Sequence, residues 1–176
     1  MHFIVINYMK KIFLALIALV SLVNSSCDRI NNSEVPSYIV SIDLGNYAQW
    51  ATYGVSGVGD YRYFSRASHT PSNFPYNVNT YTGYGGVILM MGLDGLSGNY
   101  APLAYDAACP VENTPSVIVG IDASTLEAVC SKCGSHYNVL TGGGGPVSGR
   151  AYTSKYGLRA YKVRATQFGG YKITSN

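Results

Sequence analysis

Three of the chain's four cysteines lie in two short loops of one stretch, residues 105–137, and this pairing constrains the fold more than any other feature. Cys109-Pro110-Val111-Glu112 forms the first loop, and Cys130-Ser131-Lys132-Cys133-Gly134-Ser135-His136 forms the second. Residues 116–121 and 126–129 between them have strand composition, and Asp122-Ala123-Ser124-Thr125 has the residues of a turn. A strand pair that doubles back delivers both loops to one place. Thiols gathered in this way make a metal clamp or a disulfide clasp, so Cys109 is expected within reach of Cys130 or Cys133.

The rest of the chain reads as strands and tight turns. With 20 glycines, 16 tyrosines and 12% charged residues in 176, the composition is that of one β-rich domain. Residues 38–44 have strand character and Gly45-Asn46 closes them, whereas residues 47–53 fit a strand or a short helical turn equally. Residues 54–84 form a loop-rich insertion broken by Pro71, Pro75 and Gly83, whose tyrosines are expected to cover sheet edges. Val87-Ile88-Leu89-Met90-Met91 is an unbroken apolar run suited to the centre of a core, and residues 100–108 lead a second strand into the first cysteine loop. Residues 142–146 make a glycine-rich loop that lacks the Lys-Ser/Thr pair of a phosphate-binding one. Residues 158–163 alternate, Gly169-Gly170 turns, and residues 171–173 end the sheet. Beyond residue 36 no stretch keeps a helical period, so the expected fold class is all-β.

The N-terminal end reads as an export signal. Lys10 and Lys11 follow Met9, a second candidate start, and precede an apolar run, residues 12–23, too short for a membrane span; Asn24-Ser25-Ser26-Cys27 follows. This end resembles a bacterial lipoprotein signal, which implies lipidation of Cys27; Asn24 departs from the branched or leucine-like residue usual there. The expected organisation is a signal peptide over residues 1–26, a polar lipid-anchored tether over 27–36 and the β-domain over 37–176. Export to the cell envelope, membrane-anchored, also allows thiol pairs to stay oxidised.

The two cysteine loops resemble the cluster-binding loops of the Rieske family, and with residues 142–150 and 157–163 the likeness covers most of the second half. The resemblance implies an antiparallel β-sandwich carrying a rubredoxin-like two-loop cysteine subdomain. In that family each loop gives one cysteine and one histidine to a [2Fe–2S] centre. Cys109 and Cys130 match the cysteine positions. The histidine positions hold Val111, which has no donor atom, and Cys133, so a His₂Cys₂ centre cannot be built.

Other sets remain open. Cys109-x₂-Glu112 followed by Cys130-x₂-Cys133 has the spacing of a zinc site with one thiolate replaced by carboxylate, and His136 is an alternative to Glu112. A modified iron–sulfur cluster on the same residues is a second option. A third is a metal-free domain in which two of Cys109, Cys130 and Cys133 form a disulfide. The formal charge of +3, about +1 once Lys10 and Lys11 leave with the leader, argues against nucleic acid as partner. The partners expected are the membrane, through the lipid, and a protein or glycan met by the tyrosine-rich loops. No nucleophile, base and orienting group stand in a recognisable arrangement, so nothing in the sequence recommends an enzyme.

Overall fold

The computed structural model describes residues 29–95 and 97–176. In chain order the elements are β1 (Val40–Asn46), α1 (Tyr47–Tyr53), β2 (Tyr61–Phe64), β3 (Tyr81–Thr82), β4 (Val87–Leu93), β5 (Tyr100–Asp106), β6 (Gly120–Ile121), β7 (Ala128–Val129), β8 (His136–Tyr137), β9 (Pro146–Ser148), α2 (Gly149–Ser154), β10 (Ala160–Ala165) and β11 (Gly169–Thr174). Every pairing between these strands is antiparallel, and the fold is all-β.

A seven-stranded sheet runs β2-β4-β5-β10-β11-β1-β3. Its two edges nearly meet. Just past β2, the Arg66 amide donates to Thr82 Oγ1 on β3 at 3.2 Å, and its guanidinium donates to the carbonyls of Asn77 and Thr80. The enclosed core contains Val40, Ile42, Leu44, Phe64, Val87, Leu89, Ala104 and Ile173. The second sheet, β6-β7-β8-β9, lies over the outside of β4 and β5 and traps another core with Ile88, Met90, Tyr105, Val119, Tyr137, Val139 and Leu158. Side chains on a strand alternate between faces. Val87 and Leu89 therefore enter one core and Ile88 and Met90 the other, which is why β4 is apolar without a break.

Some local structure departs from the sequence reading. Residues 47–53 are helical: the side chain of Asn46 accepts the Gln49 amide at 2.9 Å and caps α1, whose Trp50 packs on Tyr171. The short helix α2 follows β9 without a period long enough to announce it. The 54–84 insertion contains two strands, β2 and β3, and the strand expected over 116–121 is reduced to its last two residues. Residues 31–35, expected as part of a tether, are docked. Asn31 exchanges backbone hydrogen bonds with Lys155 and Gly157, Val35 is fully buried, and Arg159 donates to the carbonyls of Val35 and Ser33. Cys27 and the expected signal peptide over residues 1–26 lie outside the described residues.

Candidate metal centre

The first cysteine loop leaves β5 under tight control. Asp106, fully buried at the end of that strand, accepts hydrogen bonds from the amides of Tyr84 (2.9 Å), Gly85 (3.0 Å) and Ala108 (2.8 Å) and from the Tyr161 hydroxyl (2.5 Å). Four donors satisfy a carboxylate that would otherwise be costly to bury. The chain then turns at Cys109, whose carbonyl accepts the Asn113 amide and whose own amide donates to Val117.

The second loop is a tight turn in which the Gly134 amide donates to the Cys130 carbonyl and the Cys130 amide to the Ser135 carbonyl. Helix α2 presses against it. Gly149, at φ 73°, opens that helix, and a Cβ there would stand 2.4 Å from the Gly134 carbonyl oxygen, so only glycine permits the approach. Two residues on, the Ala151 amide donates to Ser135 Oγ at 2.9 Å.

These contacts bring the sulfurs of Cys109, Cys130 and Cys133 within 4.8 Å of one another. Cys109 Sγ and Cys133 Sγ are 3.6 Å apart, and all three are free thiols. Tetrahedral zinc with bonds of about 2.3 Å sets its sulfurs roughly 3.8 Å apart, so this spacing suits ligands of a single ion. Cys109 and Cys130 are fully buried, and Cys133 is partly exposed.

Two hydroxyls attend the sulfurs. The Tyr137 hydroxyl is 3.4 Å from Cys109 Sγ, and Cys133 Sγ donates to Ser135 Oγ at 3.1 Å. Burial pushes the Cys109 thiol up to about 12, against the hydrogen bond from Tyr137. At Cys133 burial also opposes ionisation, but the hydrogen bonds that the ionised sulfur accepts from the Ser135 side chain and backbone, aided by the other thiols, outweigh it and hold the thiol below its ordinary value. Burial, then the contact with Cys109, raises the Tyr137 hydroxyl, which stays neutral.

Glu112 and His136 are not members of this donor group. Glu112, with its side chain 11% exposed, accepts Lys132 Nζ at 2.7 Å and Arg150 at 3.4 Å, tying the first loop to the second and to α2. His136 pairs through Nδ1 with Glu127 Oε2 at 2.8 Å. The reason lies in strand parity: residues 135 and 137 share one face of the strand and 136 takes the other. The same parity was the available signal for Ser135 and Tyr137, which the sequence reading did not single out. Glu112 is drawn away by two cations that only the folded chain supplies. Set against protein-family models, curated proteins and solved structures, the chain matches none.

Proposed function

We propose that this is a Rieske-like domain, exported and lipid-anchored at Cys27, in which the cluster position has become a three-thiolate site for one thiophilic ion such as zinc. The observation that carries the reading is the meeting of Cys109, Cys130 and Cys133 at coordinating separations from two separate loops. The Rieske likeness is supported by the loop sequences together with a small antiparallel sheet that presents both loops above a larger one. The donor set does not fit a His₂Cys₂ cluster: Val111 packs as hydrocarbon against the core between the sheets, and the other histidine position is the thiol of Cys133.

Soft thiolates select zinc, cuprous copper or iron–sulfur over hard cations. Cys109, Cys130 and Cys133 would hold the ion, which when bound supplies a cross-link between the two loops. Ser135 and Tyr137 lie within hydrogen-bond reach of the sulfurs and would donate to them once they are thiolates, as outer-shell partners of metal ligands do. Glu112, Lys132 and Arg150 keep the loops in register from outside.

Elemental analysis and thiol titration of protein purified without chelator test the site. One metal per chain is expected, with thiolate charge-transfer bands after cobalt substitution and an affinity loss of at least about 100-fold in Cys133→Ser. Metal-free protein with one disulfide and one thiol would overturn the reading, as would a stable cluster with Rieske-type paramagnetic resonance. For the anchor, Cys27→Ala is expected to lose fatty-acid label and leave the membrane fraction; retention of both would refute it.

A further inference from the structure

Away from the thiols, three segments enclose a cleft of about 650 Å³, within the size range of small-molecule sites. One wall comes from the end of β1 and the start of α1, with Asp43, Asn46 and Gln49. The turn between β10 and β11 contributes Gln167 and Phe168, and the loop before β3 contributes Asn77. That loop lies in the long insertion, between the edge strands β2 and β3.

The loop wall is set in place by its own contacts. Arg66 donates to the carbonyls of Asn77 (2.9 Å) and Thr80 (3.1 Å), and the Tyr53 hydroxyl donates to that of Asn73 (2.7 Å). Phe74 is buried edge-on against Phe64 and Tyr53. A wall ordered before binding spares the ligand the entropy of ordering it.

The lining is neutral and rich in amides. Asp43 and Lys172 neutralise each other at 2.9 Å. Gln49 accepts through Oε1 from Asn46, and Asn77 accepts through Oδ1 from Asn79 and Thr80; no described residue accepts from the side-chain NH2 groups of Gln49, Asn77 or Gln167. At the mouth Phe168 is 68% exposed and the neighbouring Tyr47, whose amide donates to the Phe168 carbonyl, is 75% exposed. An anionic ligand would meet one lysine, already paired with a carboxylate. A purely apolar ligand would dehydrate the amides without replacing their hydrogen bonds.

We propose that this cleft binds a short neutral oligosaccharide, whose hydroxyls pair with the free amides while a sugar ring lies against Phe168. The site is independent of the metal centre and does not rest on the function proposed above.

Amide NMR titration of the full chain with maltotriose, cellotriose and triacetylchitotriose in turn tests it, with trigalacturonate and a neutral six-residue peptide as controls. At least one neutral trisaccharide is expected to shift the signals of Gln49, Asn77, Gln167 and Phe168 saturably. Phe168→Ala, which removes an exposed ring, is expected to weaken that binding by about tenfold or more while leaving the unfolding midpoint unchanged. Three outcomes would each overturn the proposal: no shift at about 10 mM of any of the three sugars, tighter binding of the acidic sugar or the peptide, or unaltered binding by Phe168→Ala.

Discussion

In the seven-stranded sheet, β4 and β5 pair along seven residues each and both faces of β4 are buried, whereas β6, β7 and β8 of the smaller sheet are two residues long. The larger sheet is kept in shape by its backbone ladder and by apolar burial. In the smaller one the ladder is short, and side chains take over: three thiols, the hydroxyls of Ser135 and Tyr137, and Glu112 between two cations. The region with the shortest ladder holds the three thiols, and on the proposed reading its stability is tied to the ion that would join them.

That contrast can be broken where the two sheets share a joint. Asp106 ends β5, receives Tyr161 from β10 and sets the start of the first cysteine loop. Asp106→Ala would leave three amides and one hydroxyl without their acceptor, and a loss of about 4 kcal/mol or more is expected, in a single transition on denaturant unfolding. A loss below about 1 kcal/mol would show that the sheets do not depend on a common joint.

A smaller effect sharpens the comparison. Tyr105 lies in the core between the sheets, where burial raises its hydroxyl well above the ordinary 10.0, and it donates to the Val139 carbonyl. Because the folded value is raised, the neutral hydroxyl's contribution is complete below pH 10 and is lost as the pH climbs through the folded value. Tyr105→Phe is expected to cost about 1 kcal/mol at neutral pH and to flatten the decline in stability above pH 10. An unchanged slope in denaturation at several alkaline pH values would remove Tyr105 from that decline.

Much of this architecture could be read beforehand, and the exceptions have physical causes. The run Val87 to Met91 announced a strand buried on both faces because period-two patterning vanishes when neither face meets water. Helix α1 escaped a decision: it is seven residues long and depends on one capping side chain, Asn46, rather than on a sustained apolar stripe. Strand β2 was hidden in loop-like composition, since its order comes from pairing with β4. The three thiols were legible as a group from spacing alone. Their companions were not, because spacing gives separation along the chain, while the roles of Glu112, Ser135 and His136 depend on which face each residue takes and on the cations nearby.

The docked segment at residues 31–35 fixes a leash length. Because Asn31 is already bound to Lys155 and Gly157, only the backbone between it and Cys27 is left to span any gap, at most about 14 Å when fully extended. On the proposed anchor at Cys27, the domain would ride against the lipid headgroups rather than sweep through the envelope. The surface around Asn31 and Tyr156 would turn toward the bilayer, and diffusing partners would have to approach from the opposite side.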